Sequence, residues 1–193
     1  MSFKFLLLVP LFIILCSKLV RLISLIMKDR VKLRKYLNSG INTVDKMTGE
    51  EFEDFLICHF KKLGYKGELT SKSHDYGADL ILKKDGDKIV LQAKRYSGKV
   101  GIAAVQQIAS AKSYYKADRA IVATNSYFTP YAENLAKSSG VELWDRNKLI
   151  EIMSLTEKNR CPICGGNLVQ RAGGHGTFYG CAAYPVCKYT RNN

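Results

Sequence analysis

At 193 residues the chain has room for one domain of ordinary size and a small appendage, which excludes two large cores. A formal net charge of +13 and a pI near 9.5 favour polyanionic partners, nucleic acid or acidic lipid headgroups, without choosing between them. Cys161, Cys164, Cys181 and Cys187 crowd near the C-terminus while Cys16 and Cys58 stand singly among apolar residues, a pattern that excludes a spread disulfide framework and points to a metal site in a reducing compartment.

Phe5 to Ser17 carries no charge, and apolar character continues through Met27, broken only by Lys18 and Arg21. As a helix, Phe5 to Met27 reaches roughly 34 Å, close to the thickness of a bilayer core, and the two cations can snorkel towards headgroups. Lys28, Arg30, Lys32, Arg34 and Lys35 follow, a basic cluster of the kind kept on the cytoplasmic side. Residues 1–27 are therefore expected to be a single-pass anchor in the cell membrane, with an amphipathic helix lying on the membrane surface as the alternative, and 28–46 a basic linker, with the rest in the cytoplasm. A cleaved signal peptide is the rival reading, but no small-residue cleavage site is evident.

The globular part begins near residue 47. Thr48 and Glu51 have capping-box spacing, and Phe52, Phe55, Leu56, Phe60 and Leu63 recur at helical intervals before Gly64. Strands are predicted at 65–70, 79–83 and 88–94, with Asp85-Gly86 as a hairpin turn between the last two. A helix over 100–115, a buried strand over 119–124, a helix over 130–138 and a strand over 141–144 complete an α-β-β-β-α-β-α-β order. Such an order predicts an α/β fold over 47–153, a mixed sheet flanked by helices on its two faces.

If Asp85-Gly86 is a two-residue turn, Lys84 pairs with Asp87 and Asp79 falls opposite Gln92 on one face. Lys94, two residues on, projects from that face as well. A carboxylate, an amide oxygen and an ammonium side by side suit Mg²⁺ (or Mn²⁺) with a phosphate beside it. Taken alone, such residues are more often solvated surface. The surrounding text changes the balance: Asp75 to Leu80 (DYGADL), Gln92-Ala93-Lys94-Arg95-Tyr96, Val100, Gln106-Gln107 and Ala123-Thr124-Asn125 closely resemble the Mrr-like branch of restriction endonucleases.

That resemblance covers about 48–150 and implies the PD-(D/E)xK nuclease fold and metal-dependent hydrolysis of DNA phosphodiesters. It implies Asp79 as metal-binding carboxylate, Gln92 in the place of an acidic ligand, Lys94 as catalytic lysine, and Glu53 as a helical glutamate with an outer metal or water contact. Ala78 stands where the motif name has proline, a position that contributes no ligand. Neutral Gln92 leaves less negative charge for the cation than two carboxylates would, yet glutamine is the usual form in that branch. Gln106 is expected to face the cleft. Arg95, Lys99 and Lys112 are candidate phosphate contacts. His74 and Asp75 read as loop residues and His59 as structural.

At the C-terminus, residues 154–160 read as a polar linker that does not fix orientation, and 161–193 as a small module. Cys161-Pro-Ile-Cys164-Gly-Gly is a metal knuckle, with Cys181 and Cys187 as the second pair. The C-x(2)-C-x(16)-C-x(5)-C spacing, with Arg171, Phe178, Gly180, Tyr184-Pro185 and Lys188-Tyr189-Thr190, resembles the zinc ribbon of type IA topoisomerases. The resemblance implies Zn²⁺ on the four cysteines and single-stranded DNA as ligand. Arg171, Tyr184, Lys188 and Tyr189 are the residues expected to neutralise phosphates and stack bases. Double-strand cleavage with one site per chain takes two chains, so a homodimer is a possible partner alongside DNA and membrane. The alternative is a catalytically silent membrane-tethered DNA-binding protein.

Overall fold

The structure, a computed structural model, describes residues 3–70, 76–174 and 176–192, with side chains from residue 12 onward. His74 and Asp75 lie outside the described residues. The chain forms two compact units, Met1–Lys35 and Tyr36–Asn193.

The first unit belongs to one helix, α1 (Phe3–Leu37), which runs through residues 28–37, half of the expected linker. Its described apolar side chains from Phe12 to Met27 are exposed, apart from half-buried Cys16. Among the described residues no helix is long and apolar enough to cross a membrane, and the side chains of residues 5–11, the start of the expected anchor, lie outside that description.

In the second unit, α2 (Ile41–Val44) precedes α3 (Gly49–Lys62). The capping box at the start of α3 is formed: Thr48 Oγ1 accepts from the Glu51 N–H at 3.2 Å, and the Glu51 carboxylate accepts from the Thr48 N–H at 3.1 Å. Then come β1 (Lys66–Leu69), β2 (Leu80–Lys84), β3 (Asp87–Lys94), α4 (Ile102–Tyr114), β4 (Arg119–Thr124), α5 (Pro130–Ser139), β5 (Val141–Trp144) and α6 (Arg146–Thr156). The last helix was not expected. Asp145 caps it by accepting from the Lys148 N–H at 3.0 Å, and Leu149, Ile152 and Met153 form its buried side.

The five strands lie in the order β1-β2-β3-β4-β5, antiparallel from β1 to β3 and parallel from β3 to β5. The fold is thus a mixed sheet flanked by helices. Asp85 and Gly86 both have positive φ, as a two-residue hairpin turn requires, and the register runs from Lys84 opposite Asp87 to Leu80 opposite Leu91. Alternation then divides the sheet. Val90, Ala120 and Val122 face α4 and α5, while Leu82 lies against Ile57 of α3 on the other face, where Phe60 stacks on Trp144.

The C-terminal module is an antiparallel sheet of β6 (Leu168–Gly173), β7 (Gly176–Cys181) and β8 (Thr190–Asn192) over a small core that includes the four cysteines. Contrary to the free linker expected at 154–160, main-chain bonds tie this module down. Residues 154–156 finish α6, and the Ile41 and Asn42 N–H groups donate to the carbonyls of Pro162 and Ile163 at 2.8 and 3.1 Å.

Candidate active site and metal centre

β2 and β3 carry the site where their ladder ends. Beyond the Leu80–Leu91 pair, the Asp79 N–H still donates to the Leu91 carbonyl at 2.8 Å, and Asp79 Oδ2 accepts from the Ala93 N–H at 2.6 Å. The aspartate is held by the main chain of the neighbouring strand.

Gln92 occupies the adjoining strand position and is only 2 % exposed. Its Nε2 donates to Gln107 Oε1 at 2.8 Å, whereas its Oε1 is buried and has no hydrogen-bond partner among the described residues. An orphaned buried oxygen is costly unless something is meant to meet it. A hard divalent cation meets it well, since such ions take carboxylate and amide oxygens. The donor set therefore fits Mg²⁺ or Mn²⁺, with Gln107 fixing which end of the Gln92 amide is presented. Gly77 completes the arrangement: its φ is +89°, and a Cβ there would lie 2.9 Å from Gln107 Cβ and 3.2 Å from Gln92 Nε2.

The Lys94 side chain, half-buried at the end of β3, makes no hydrogen bond or ion pair among the described residues. Glu53 is half-buried on the first turns of α3, a helix that contacts β3 from the opposite face of the sheet. Gln106, expected at the cleft, is exposed on α4, and the contact with Gln92 belongs to Gln107 instead. One helical position, about 100° of rotation, separates the two side chains.

Arg95 turns back into the fold: Nη1 donates to the Asp45 carbonyl at 3.2 Å. It joins a polar cluster not foreseen from sequence. Arg146 grips the Asp45 carboxylate with two bonds, at 2.7 and 2.9 Å, and Asn125 Nδ2 adds a third at 2.9 Å. Asn125 Oδ1 accepts from the Tyr96 N–H at 2.9 Å, and Thr124 Oγ1 donates to the Lys94 carbonyl at 2.7 Å. Burial pushes the Asp45 carboxyl upward, but the Arg146 and Asn125 bonds prevail and hold it below its ordinary value. The pair of residues after Lys94 is thereby fixed. His59 is structural, as expected: it is buried, 2.7 Å from Thr156 Oγ1, and burial lowers its pKa to about 4.

In the C-terminal module the four thiol sulfurs lie within 4.8 Å of one another, with Cys161–Cys187 at 3.7 Å and Cys164–Cys181 at 3.4 Å. These separations are far too long for disulfides and close to the roughly 3.8 Å edge of a tetrahedron with about 2.3 Å Zn–S bonds. Burial pushes the Cys161 thiol up to about 12, so a cation is needed to keep a thiolate there at neutral pH. A recess of about 290 Å³ beside the centre is lined by Arg171, Phe178, Tyr184, Lys188 and Tyr189 among others. The four candidate nucleic-acid contacts of this module thus line one recess. Arg171 lies 5.9 Å from the Tyr184 ring, and Val186, next to that loop's Pro185, is 94 % exposed.

Residues 44–153 match the restriction endonuclease family, Mrr catalytic domain, and 158–193 match the topoisomerase DNA-binding C4 zinc finger. The type IV methyl-directed restriction enzyme EcoKMrr of Escherichia coli (strain K12) is 29% identical over 117 residues, 56% of this chain and 38% of that one. DNA topoisomerase 1 of Methanocaldococcus jannaschii is 49% identical over 39 residues, 20% of this chain and 5% of that one. Uncharacterized protein YrdD of Escherichia coli (strain K12) is 45% identical over 40 residues, 21% of this chain and 22% of that one. The chain thus spans well under half the length of each of these relatives. Among solved structures, the DNA modification-dependent restriction endonuclease AspBHI shares 18% identity at a TM-score of 0.48, covering 64% of this chain and 34% of that one.

Proposed function

The chain belongs to the restriction endonuclease family of the Mrr catalytic type, and from that premise we propose that it is a Mg²⁺- or Mn²⁺-dependent endonuclease hydrolysing DNA phosphodiester bonds. The observation that carries the reading is the buried Gln92 Oε1, which has no partner among the described residues, near Asp79 at the parting of β2 and β3.

Asp79 and Gln92 would hold the cation, and the Ala93 carbonyl is a third candidate oxygen. When bound, the ion neutralises phosphoryl charge and lowers the pKa of water. Lys94 stabilises the charge that develops on the phosphate and positions the attacking water. Glu53 acts further out, on water. Arg95 has one guanidinium nitrogen committed to Asp45, so its contribution to phosphate binding is mainly long-range charge. The four-cysteine module, loaded with Zn²⁺, binds single-stranded DNA through Arg171, Tyr184, Lys188 and Tyr189.

Attachment of α1 to the cell membrane, with the globular part on the cytoplasmic side, belongs to the same proposal. It is supported by the exposed apolar side chains from Phe12 to Met27 and the basic run from Lys28 to Lys35. A homodimer would supply the second cut of a duplex. Sedimentation with anionic vesicles, and extraction by alkali or detergent, separate a surface-bound α1 from an inserted one; recovery of all the protein without vesicles refutes attachment.

The enzymatic reading is tested by nicking and linearisation of supercoiled plasmid by residues 36–193, with Mg²⁺, Mn²⁺ or EDTA, beside Asp79→Ala and Lys94→Ala. Metal-dependent cutting lost in both variants is expected. Binding without cutting in all three proteins, on modified and unmodified DNA, would favour the silent DNA tether.

A further inference from the structure

Gly40 has φ −88° and ψ 166°, extended backbone open to any residue, so its own conformation does not call for glycine. What surrounds it does. A Cβ at Gly40 would lie 2.5 Å from both Gly165 N and Ile163 O and 2.6 Å from the Cys164 carbonyl carbon; a Cβ at Gly165 would lie 2.5 Å from the Asn38 carbonyl oxygen. Two glycines meet backbone to backbone where no side chain fits. At the same contact the Ile41 and Asn42 N–H groups donate to the Pro162 and Ile163 carbonyls, the residues between the first two cysteines.

The connection continues past α2. Ile41 and Val44 are buried, 1% and 0% exposed, and the Asp45 N–H closes the helix on the Ile41 carbonyl. The Asp45 carboxylate is held by Arg146 and Asn125, and Asn125 in turn accepts from the Tyr96 N–H, two residues beyond Lys94. A continuous hydrogen-bonded path therefore runs from the knuckle to the end of the strand that carries Lys94.

We propose that the metal-loaded ribbon is a brace for the nuclease site: the Cys161–Cys164 knuckle clamps α2, and α2 through Asp45 sets the end of β3, so that losing the ribbon's zinc releases Lys94. This rests on the nuclease reading above and adds regulation of that same site by zinc loss. Asp45 is a positioning residue in this scheme, acting through Asn125 and the Tyr96 main chain. Asp79 and Gln92 lie on the other side of Lys94 along the hairpin, and Gln92 is fixed by α4, so the brace does not govern cation affinity.

The test uses the full chain in detergent, zinc-loaded and zinc-stripped, with zinc-loaded Gly40→Val and Asp45→Asn variants and Gly98→Val as control, since a Cβ at Gly98 meets nothing within 4 Å. Amide exchange at Ile41, Asn42, Asp45 and Tyr96 is read alongside zinc content, Mn²⁺ affinity and kcat for nicking. Stripping zinc and Gly40→Val should each speed exchange at Ile41, Asn42 and Tyr96 at least about tenfold. Gly40→Val should keep its zinc and its Mn²⁺ affinity within about twofold, while kcat falls by about tenfold; general misfolding would lower both. Asp45→Asn, which leaves the knuckle contact alone, should speed exchange at Tyr96 but not at Ile41. Unchanged Tyr96 exchange after zinc removal, with only residues 158–192 loosened, overturns the brace. Absence of cleavage by the unaltered chain counts against the nuclease reading alone, and the exchange result still decides the brace.

Discussion

Replacing Gln107 by leucine removes the acceptor that orients the Gln92 amide while leaving both proposed cation ligands in place. In the structure Gln92 Nε2 donates to Gln107 Oε1 at 2.8 Å, and the Gln92 side chain is almost wholly buried. A hydrogen bond of this kind contributes about 0.5–1.5 kcal/mol net, and leaving the buried NH₂ unpaired costs about 1–3 kcal/mol. The amide then gains by turning its nitrogen towards the cation position, which opposes binding. At about 1.4 kcal/mol per tenfold change, Gln107→Leu should weaken Mn²⁺ binding by roughly tenfold and stability by 1–2 kcal/mol. Gln107→Glu keeps an acceptor at the same place and should retain affinity, and Gln106→Leu, at a side chain that does not bond Gln92, should change neither quantity. Isothermal titration with Mn²⁺ and urea unfolding of the zinc-loaded protein give both numbers. Equal Mn²⁺ affinity in Gln107→Leu and the unaltered chain would refute the claim that Gln92 Oε1 is a presented ligand.

Buried His59 makes stability depend on pH. Its pKa falls from about 6.5 unfolded to about 4 folded, so between those values the unfolded chain binds the extra proton and stability drops as pH is lowered. The loss amounts to about 3 kcal/mol by pH 4, and His59→Gln should flatten that part of the unfolding free-energy curve; parallel curves would contradict the assignment. Gly77→Ala forces a side chain into positive φ and against Gln107, which should cost about 1–2 kcal/mol and lower Mn²⁺ affinity, with melting compared against Gly98→Ala. Tyr184→Ala removes an exposed ring beside Arg171 and should weaken binding of a single-stranded oligonucleotide by about tenfold in anisotropy at fixed salt. Unaltered affinity would move base stacking to Tyr189 or Phe178.

The parts of the fold legible in sequence are those governed by near neighbours. Asp85-Gly86 dictates its own turn, and the turn dictates a register that runs from Lys84–Asp87 to Leu80–Leu91; past that pair the Asp79 N–H bonds the Leu91 carbonyl and its carboxylate the Ala93 N–H, a departure from the register that the dipeptide does not dictate. Thr48 and Glu51 announced the start of α3 in the same way. Asp145 and the spacing of Leu149, Ile152 and Met153 carry an equally local signal for α6. Gln106 and Gln107 are neighbours on the exposed part of α4, and which of them reaches Gln92 depends on how the helix is turned when it packs on Val90 and Val122. The Asp45–Arg146 pair joins positions 101 apart in sequence, and the knuckle contact is main chain on main chain, leaving Gly40 and Gly165 as its traces in the sequence.

Both margins of the five-stranded sheet are short: β1 has four residues with exposed Lys66 and Glu68, and β5 has four with Glu142 paired to Arg119 of the adjacent strand. Brief, charged margins discourage a second chain from adding its own strands there. Two copies cutting opposite strands of a duplex would therefore approach one another through helices or loops, and the span between their scissile phosphates would be set by helix contacts instead of by extension of a common sheet.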